Sequence, residues 1–331
     1  MSNTETDPAE VHCAPAACPR DEAGRPLVEV LTSRAVPLGG PRAMTVRRTL
    51  PQRNRSLIGA WCFADHYGPD DVSVTGGMDV APHPHTGLQT VSWLFDGEIE
   101  HRDSAGVHAH VRPGEVNLMT GGHGICHSEV STPDTTVLHG AQLWVALPDA
   151  ARDAPRDFQH YAPDPVDLDG GSARVFLGTL AGASSPVSTF TPLIGAELRV
   201  DPGARLRLTV ADDFEHGLLV DRGVLQWETT AVARGELGYR GAGPGELTVT
   251  NPTDRPARAL LLGGPPFGEQ IVMWWNFVGR SHEEIVAYRA AWQQQGERFG
   301  AVAGYRGPRP RLPAPPLPNG RLKPRGNPPP R

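Results

Sequence analysis

Short runs in which apolar and polar residues alternate recur along most of this chain, the period expected of strands with one buried face. Residues 27–61 hold short apolar runs broken by Pro and Gly, and Leu57–Phe63 reads as a buried strand. Strand-rich sequence continues to Leu147-Pro148. In the second half, 174–180, 196–200, 205–210, 217–220, 223–227, 246–250 and 259–262 read as further strands. One segment has helical spacing: Ser281 is a candidate cap, Glu284 follows three residues later, and Ile285, Tyr288 and Trp292 share a face.

Both halves carry a strand, a tight turn, a strand, a Pro-Gly turn and another strand. Phe95-Asp-Gly-Glu98 and Pro113-Gly-Glu115 mark the first, Asp221-Arg-Gly223 and Pro244-Gly-Glu246 the second. A duplicated small barrel accounts for this. The expected organisation is a disordered N-terminal tail (1–26), an N-terminal barrel (27–150), an Asp- and Pro-rich linker (151–169), a C-terminal barrel ending in the helix (170–299), and a disordered basic Pro/Arg-rich tail (300–331).

Composition sharpens this reading. Gly (38) and Pro (34) exceed a fifth of the 331 residues, which favours turns and short strands. The net charge of −6 conceals an asymmetry: eight Lys or Arg and no acid follow from Arg298 onward, so the remainder carries about −14 and repels nucleic acid. No apolar run is long enough to span a membrane, and the acidic N-terminus has no secretory character. Four cysteines, Cys13, Cys18, Cys62 and Cys126, make no disulfide framework, so a reduced, cytoplasmic protein is expected.

The candidate chemistry lies in histidine. Nine of the 13 histidines fall between His66 and His139. His83-Pro-His85 and His127-Ser-Glu129 are H-x-H and H-x-E pairs, and residues i and i+2 of a strand share a face. If the two strands are neighbours, three imidazoles and a carboxylate surround one ion, a donor set suited to Fe(II), Mn(II), Ni(II) or Cu(II). His101, His108 and His110 read as surface residues or as residues behind the ligands, and Trp93, Phe95 and Trp144 as core. Cys126 should point to the opposite strand face. The second half has neither H-x-H nor H-x-E; His216 stands alone there, and that barrel reads as structural.

The text H-P-H-T-G-L-Q-T-V-S-W-L-F-D-G-E-I-E-H-R-D-S at 83–104 closely resembles the pirin family. So do R-P-G-E-V-N-L-M-T-G-G-H-G-I-C-H-S-E at 112–129 and Gln142–Pro148. The likeness weakens through the second barrel, returns at Gly263-Gly-Pro265 and at Asn276–Glu284, and covers roughly residues 28–298. It implies an all-β bicupin, two antiparallel β-barrels with a C-terminal helix, and one divalent ion, typically Fe(2+), on His83, His85, His127 and Glu129. Two positions depart from relatives: Gln89 stands where the general cupin motif has a Glu ligand, and His123 where pirins often carry Arg.

Pirins are associated with quercetin 2,3-dioxygenase activity. The resemblance thus implies a flavonol and O2 as substrates, with Glu129 as ligand and general base. The competing expectation is a redox-responsive regulatory protein acting through a protein partner, with the Pro-rich tail as a contact. An isomerase, or another dioxygenase, using the same site is a third.

Overall fold

The computed structural model describes residues 20, 22, 24, 26–37, 44–52 and 55–326. The expected N-terminal tail lies almost wholly outside these residues, as do Cys13 and Cys18.

Two β-barrels, each built from a seven-stranded and a four-stranded antiparallel sheet, form the body. In the first barrel the larger sheet runs Asp157–Tyr161, Val116–Thr120, Leu88–Asp96, Val137–Ala146, Trp61–Asp71, Thr45–Leu50, Arg34–Pro37. Its smaller sheet runs Asp79–His85, Ile125–Ser131, Ile99–Asp103, His108–Val111. The second barrel repeats this order. Its larger sheet is Glu29–Leu31, Leu237–Arg240, Glu215–Arg222, Ala257–Gly264, Ile194–Val200, Gly171–Leu177, Val166–Leu168. Its smaller sheet is Arg205–Thr209, Glu246–Thr250, Val224–Trp227, Thr230–Ala233. The duplication read from the turn signals is therefore one of sheet topology.

The larger sheets pack against each other through the side chains on one of their two faces. On Glu215–Arg222, Leu218 and Val220 point into the second barrel, whereas Leu219 joins Val91, Trp93 and Leu143 of the first barrel in the core between them. Trp93 stacks on Phe176 with ring centroids 4.6 Å apart, and its indole N–H donates to Glu197 at 2.9 Å. The backbones also meet here: Gly59 has φ +52°, and a Cβ on it would lie 2.7 Å from the Cα of Gly264. Its amide donates to the buried carboxylate of Glu215 at 2.8 Å.

The expected domain boundaries differ from the observed pairing. Glu29–Leu31, assigned to the first barrel, pairs with Leu237–Tyr239 at the edge of the second. The expected linker 151–169 is not a free connection: Asp157–Tyr161 completes the first barrel's larger sheet and Val166–Leu168 the second's. Helix His282–Gln293, capped by Ser281 Oγ accepting from the Glu284 amide as its sequence suggests, was placed with the second barrel. Its buried face of Ile285, Tyr288 and Trp292 instead packs with Trp274, Phe277 and Phe299 into a core that includes Val80, Ile99 and Cys126 of the first.

The basic Pro-rich segment was expected to be disordered from residue 300 onward. As far as residue 326 it lies along the first barrel as an irregular strap. Leu312 and Ala314 are buried, the Leu312 amide donates to Pro82 O at 2.9 Å, and the Trp292 indole donates to Leu312 O at 2.8 Å. Arg289 donates to Pro315 O, Tyr305 to Asp79, and the Arg311 guanidinium lies 3.9 Å from the Trp292 ring centroid. An extended proline-rich chain has little conformational freedom to lose, and its carbonyls are open to side-chain donors. A few buried side chains can therefore hold it. No described helix is long and apolar enough to cross a membrane.

Candidate metal centre

Asp79–His85 and Ile125–Ser131 are antiparallel neighbours, with His83 opposite His127 and His85 opposite Ile125. The i, i+2 pair on one strand therefore faces the single histidine on the next. Ring centroids stand 5.1 Å apart for His83–His85, 4.3 Å for His83–His127 and 5.0 Å for His85–His127. One ring nitrogen of each lies within 4.8 Å of those of the other two, and all three residues are 0% exposed.

Burial, reinforced by the neighbouring imidazoles, holds all three well below the ordinary histidine pKa, so each is neutral at pH 7 and keeps one acceptor nitrogen. His83 Nδ1 donates to Ala81 O at 2.9 Å, which leaves Nε2 bare, buried and without a partner among the described residues. His127 is set from behind. Asp103 Oδ1 accepts the Ala105 and Val107 amides, and its Oδ2 lies 3.1 Å from His101 Nε2. His101 Nδ1 in turn lies 3.3 Å from His127 Nδ1. With Asp103 ionised, His101 donates to it and accepts from His127, so the His127 Nε2 lone pair faces the cluster, 3.1 Å from His85 Nε2. Bare imidazole nitrogens converging in a dry site are what a divalent transition ion requires, and a carboxylate–histidine pair behind a ligand fixes its tautomer. The residues fit such an ion.

Glu129 is buried, at 1% exposure, yet it lies outside this group of three. The register shifts between His127 and Glu129, so Glu129 stands opposite Val80 on one side and His101 on the other. Tyr67 is near it: burial first, then the carboxylates of Glu129 and Asp65, push its phenol well above the usual range. The phenol oxygen has no partner among the described residues. Tyr67 was not singled out from sequence, whereas His101 takes up one of the two places expected of it, behind a candidate ligand. His101-x-Asp103 repeats the i, i+2 spacing on a strand beside the H-x-E.

The other candidates fall as follows. His108 and His110 are partly exposed and face Glu100 and Glu98 at 2.7 and 2.9 Å. His123 faces solvent, 3.6 Å from Asp153. Gln89 shares the strand face of Val91 and Trp93 and donates to Thr120 Oγ1 at 3.1 Å. Trp144 is core, stacked on Phe63 at 4.0 Å with its edge toward His85. Cys126 points away from the imidazoles toward Gly300 O, its thiol pushed up to about 11 by burial.

A second buried group, His66, His139 and Asp221, sits where the barrels meet. His66 Nε2 and His139 Nε2 lie 2.8 and 2.5 Å from Asp221 Oδ1, and Arg258 Nε donates to Oδ2 at 2.6 Å. Arg47 Nε donates to His66 Nδ1 at 3.2 Å. Burial would raise the Asp221 pKa, but the bonds from His139 and His66 and the Arg258 charge outweigh it and hold the carboxyl well below its usual value. Two guanidinium groups already balance this site, which makes it a polar clasp between the barrels.

Comparisons with known proteins agree with this geometry. The Pirin family model matches residues 43–145, and the pirin C-terminal cupin domain matches 195–300. A Pseudomonas aeruginosa protein whose name gives it as a candidate quercetin 2,3-dioxygenase is 46% identical over 88% of this chain and 91% of its own. A pirin-like protein of Caulobacter vibrioides is 35% identical over 75% and 88%. The crystal structure of a quercetin 2,3-dioxygenase from Acinetobacter baumannii superposes with a TM-score of 0.83 at 37% identity, over 88% of this chain and 96% of that one. Doubled cupin topology, the histidine cluster of the first barrel and these relatives together place the chain in the pirin family.

Proposed function

We propose that the protein is a metal-dependent dioxygenase of the pirin type that opens flavonols such as quercetin with O2, using ferrous iron held by His83, His85, His127 and Glu129. The observation that carries this reading is the convergence of three neutral, fully buried imidazoles, at least two with a bare nitrogen facing the cluster. The named quercetin dioxygenases among the relatives supply the substrate class. Bound there, ferrous iron would supply Lewis acidity and a source of electrons. The chain does the rest. Glu129 takes the proton of the flavonol hydroxyl. Trp144 and Phe63 keep water from the His85 side.

The test is oxygen uptake by iron-loaded protein with quercetin, comparing wild type with Glu129→Gln. Glu129→Gln should lose activity by more than its loss of iron. Parallel losses would reduce Glu129 to a ligand, and no uptake by fully loaded wild type would overturn the dioxygenase reading. One observation favours the regulatory alternative. The strap is bonded through Leu312 to Pro82, next to His83, so a change at the metal would reach a surface segment. Under that reading the strap's protease sensitivity changes with iron oxidation state while no oxygen is consumed.

A further inference from the structure

The second barrel, which carries no metal-ligand pair, contains a cavity of about 410 Å³, within the range of small-molecule sites. Hairpin Thr179–Leu180/Ala183–Ser184 borders it on one side and the loop before Glu215–Arg222 on the other. Leu180, Val187, Leu193, Ile194 and Phe214 give it apolar walls, and no charged side chain lines it. His216 also lines it, from the strand face it shares with Leu218 and Val220. His216 is 1% exposed, and neither of its ring nitrogens has a partner among the described residues. Nearby hydroxyls are committed elsewhere: Ser185 donates to Phe176 O and accepts from the Val187 amide, and Thr189 donates to Thr191 O.

We infer that this cavity is a second binding site, separate from the metal centre, for a neutral and mainly apolar molecule of one or two rings that sets a hydroxyl against His216. Burial, and after it the Arg240 charge, hold the imidazole down to about 3, so the ring is neutral at pH 7 with one donor and one acceptor nitrogen. A hydroxyl matches either nitrogen. A carboxylate or ammonium would enter a cavity lined by no charged side chain, beside an Arg240 already bonded to Glu228 and to Glu246 O, which is disfavoured. Burying a polar group unpaired costs stability, and a ligand that pairs with it while covering the apolar walls recovers that cost.

The test is a titration of the full chain with 1-naphthol, following the His216 ring signals by NMR, with naphthalene as the analogue lacking the hydroxyl. The inference expects a saturable shift of the His216 ring and binding of naphthalene weaker by about tenfold, the effect of one lost hydrogen bond. His216→Phe should weaken 1-naphthol by a similar factor, and Leu180→Trp, which fills the cavity, should abolish binding. The metal-free His83→Ala/His127→Ala protein should bind unchanged. Absence of a shift up to the solubility limit, survival of binding in a folded Leu180→Trp protein, or its loss in the metal-free variant would each overturn the inference.

Discussion

His101 lies outside the group of three imidazoles, yet it fixes which nitrogen of His127 faces that group. His101→Ala should keep all three imidazoles and lower metal affinity by about 10- to 100-fold, the usual cost of removing a partner behind a ligand. His83→Ala should nearly abolish binding, and His108→Ala should leave it unchanged; metal content after dialysis against a chelator series distinguishes the three. Proton linkage follows from the same rings. Their folded pKa values lie well below 6.5, the unfolded value. The unfolded chain therefore binds protons that the metal-free folded protein excludes. Stability from these residues is present in full above about pH 6.5 and declines as pH falls below it. Calorimetry of metal-free protein should show a lower Tm at about pH 5.5 than at about pH 7.5. The i, i+2 spacing made His83, His85 and His127 legible from sequence, because a strand's two-residue period needs no tertiary information. The register shift before Glu129, and the place of His101 behind His127, depend on which strands are neighbours.

At the scale of elements, alternation and turn residues were enough to mark the strands and their duplication. What joins the barrels was not legible, because Asp221 lies 155 residues from His66 and looked like part of a repeated turn. Asp221→Asn removes the anion beneath the buried Arg258 and leaves that cation without its counter-charge. The expected loss is about 3–5 kcal/mol, the cost of breaking a buried ion pair from one side. Urea unfolding should register it as a lower midpoint, while metal content at low denaturant stays at the wild-type level. A shift of a few tenths of a kcal/mol would mean that solvent reaches Arg258 and the clasp contributes little.

For the whole molecule, composition was the misleading signal. Ten prolines in the last 24 residues argued for a disordered tail, but a chain already extended loses little freedom on docking, and Trp292 gives it a surface to dock on. Deleting residues 304–331 uncovers Trp292 and forfeits the burial of Leu312 and Ala314. A loss on the order of 3 kcal/mol is expected from the apolar area involved, read as a Tm several degrees lower by scanning fluorimetry. An unchanged Tm would show that the strap rests on the body without holding it. The ends of the chain are exchanged between the barrels: Glu29–Leu31 edges the second, and the helix and strap cover the first. During synthesis Glu29–Leu31 therefore emerges long before Leu237–Tyr239, its partner, exists, and the first barrel stays uncovered until the helix and strap have followed the second barrel. The barrel made first is thus the last to be finished, so a stop codon between the second barrel and the helix should leave a nascent product that needs chaperones, whatever the integrity of its histidines.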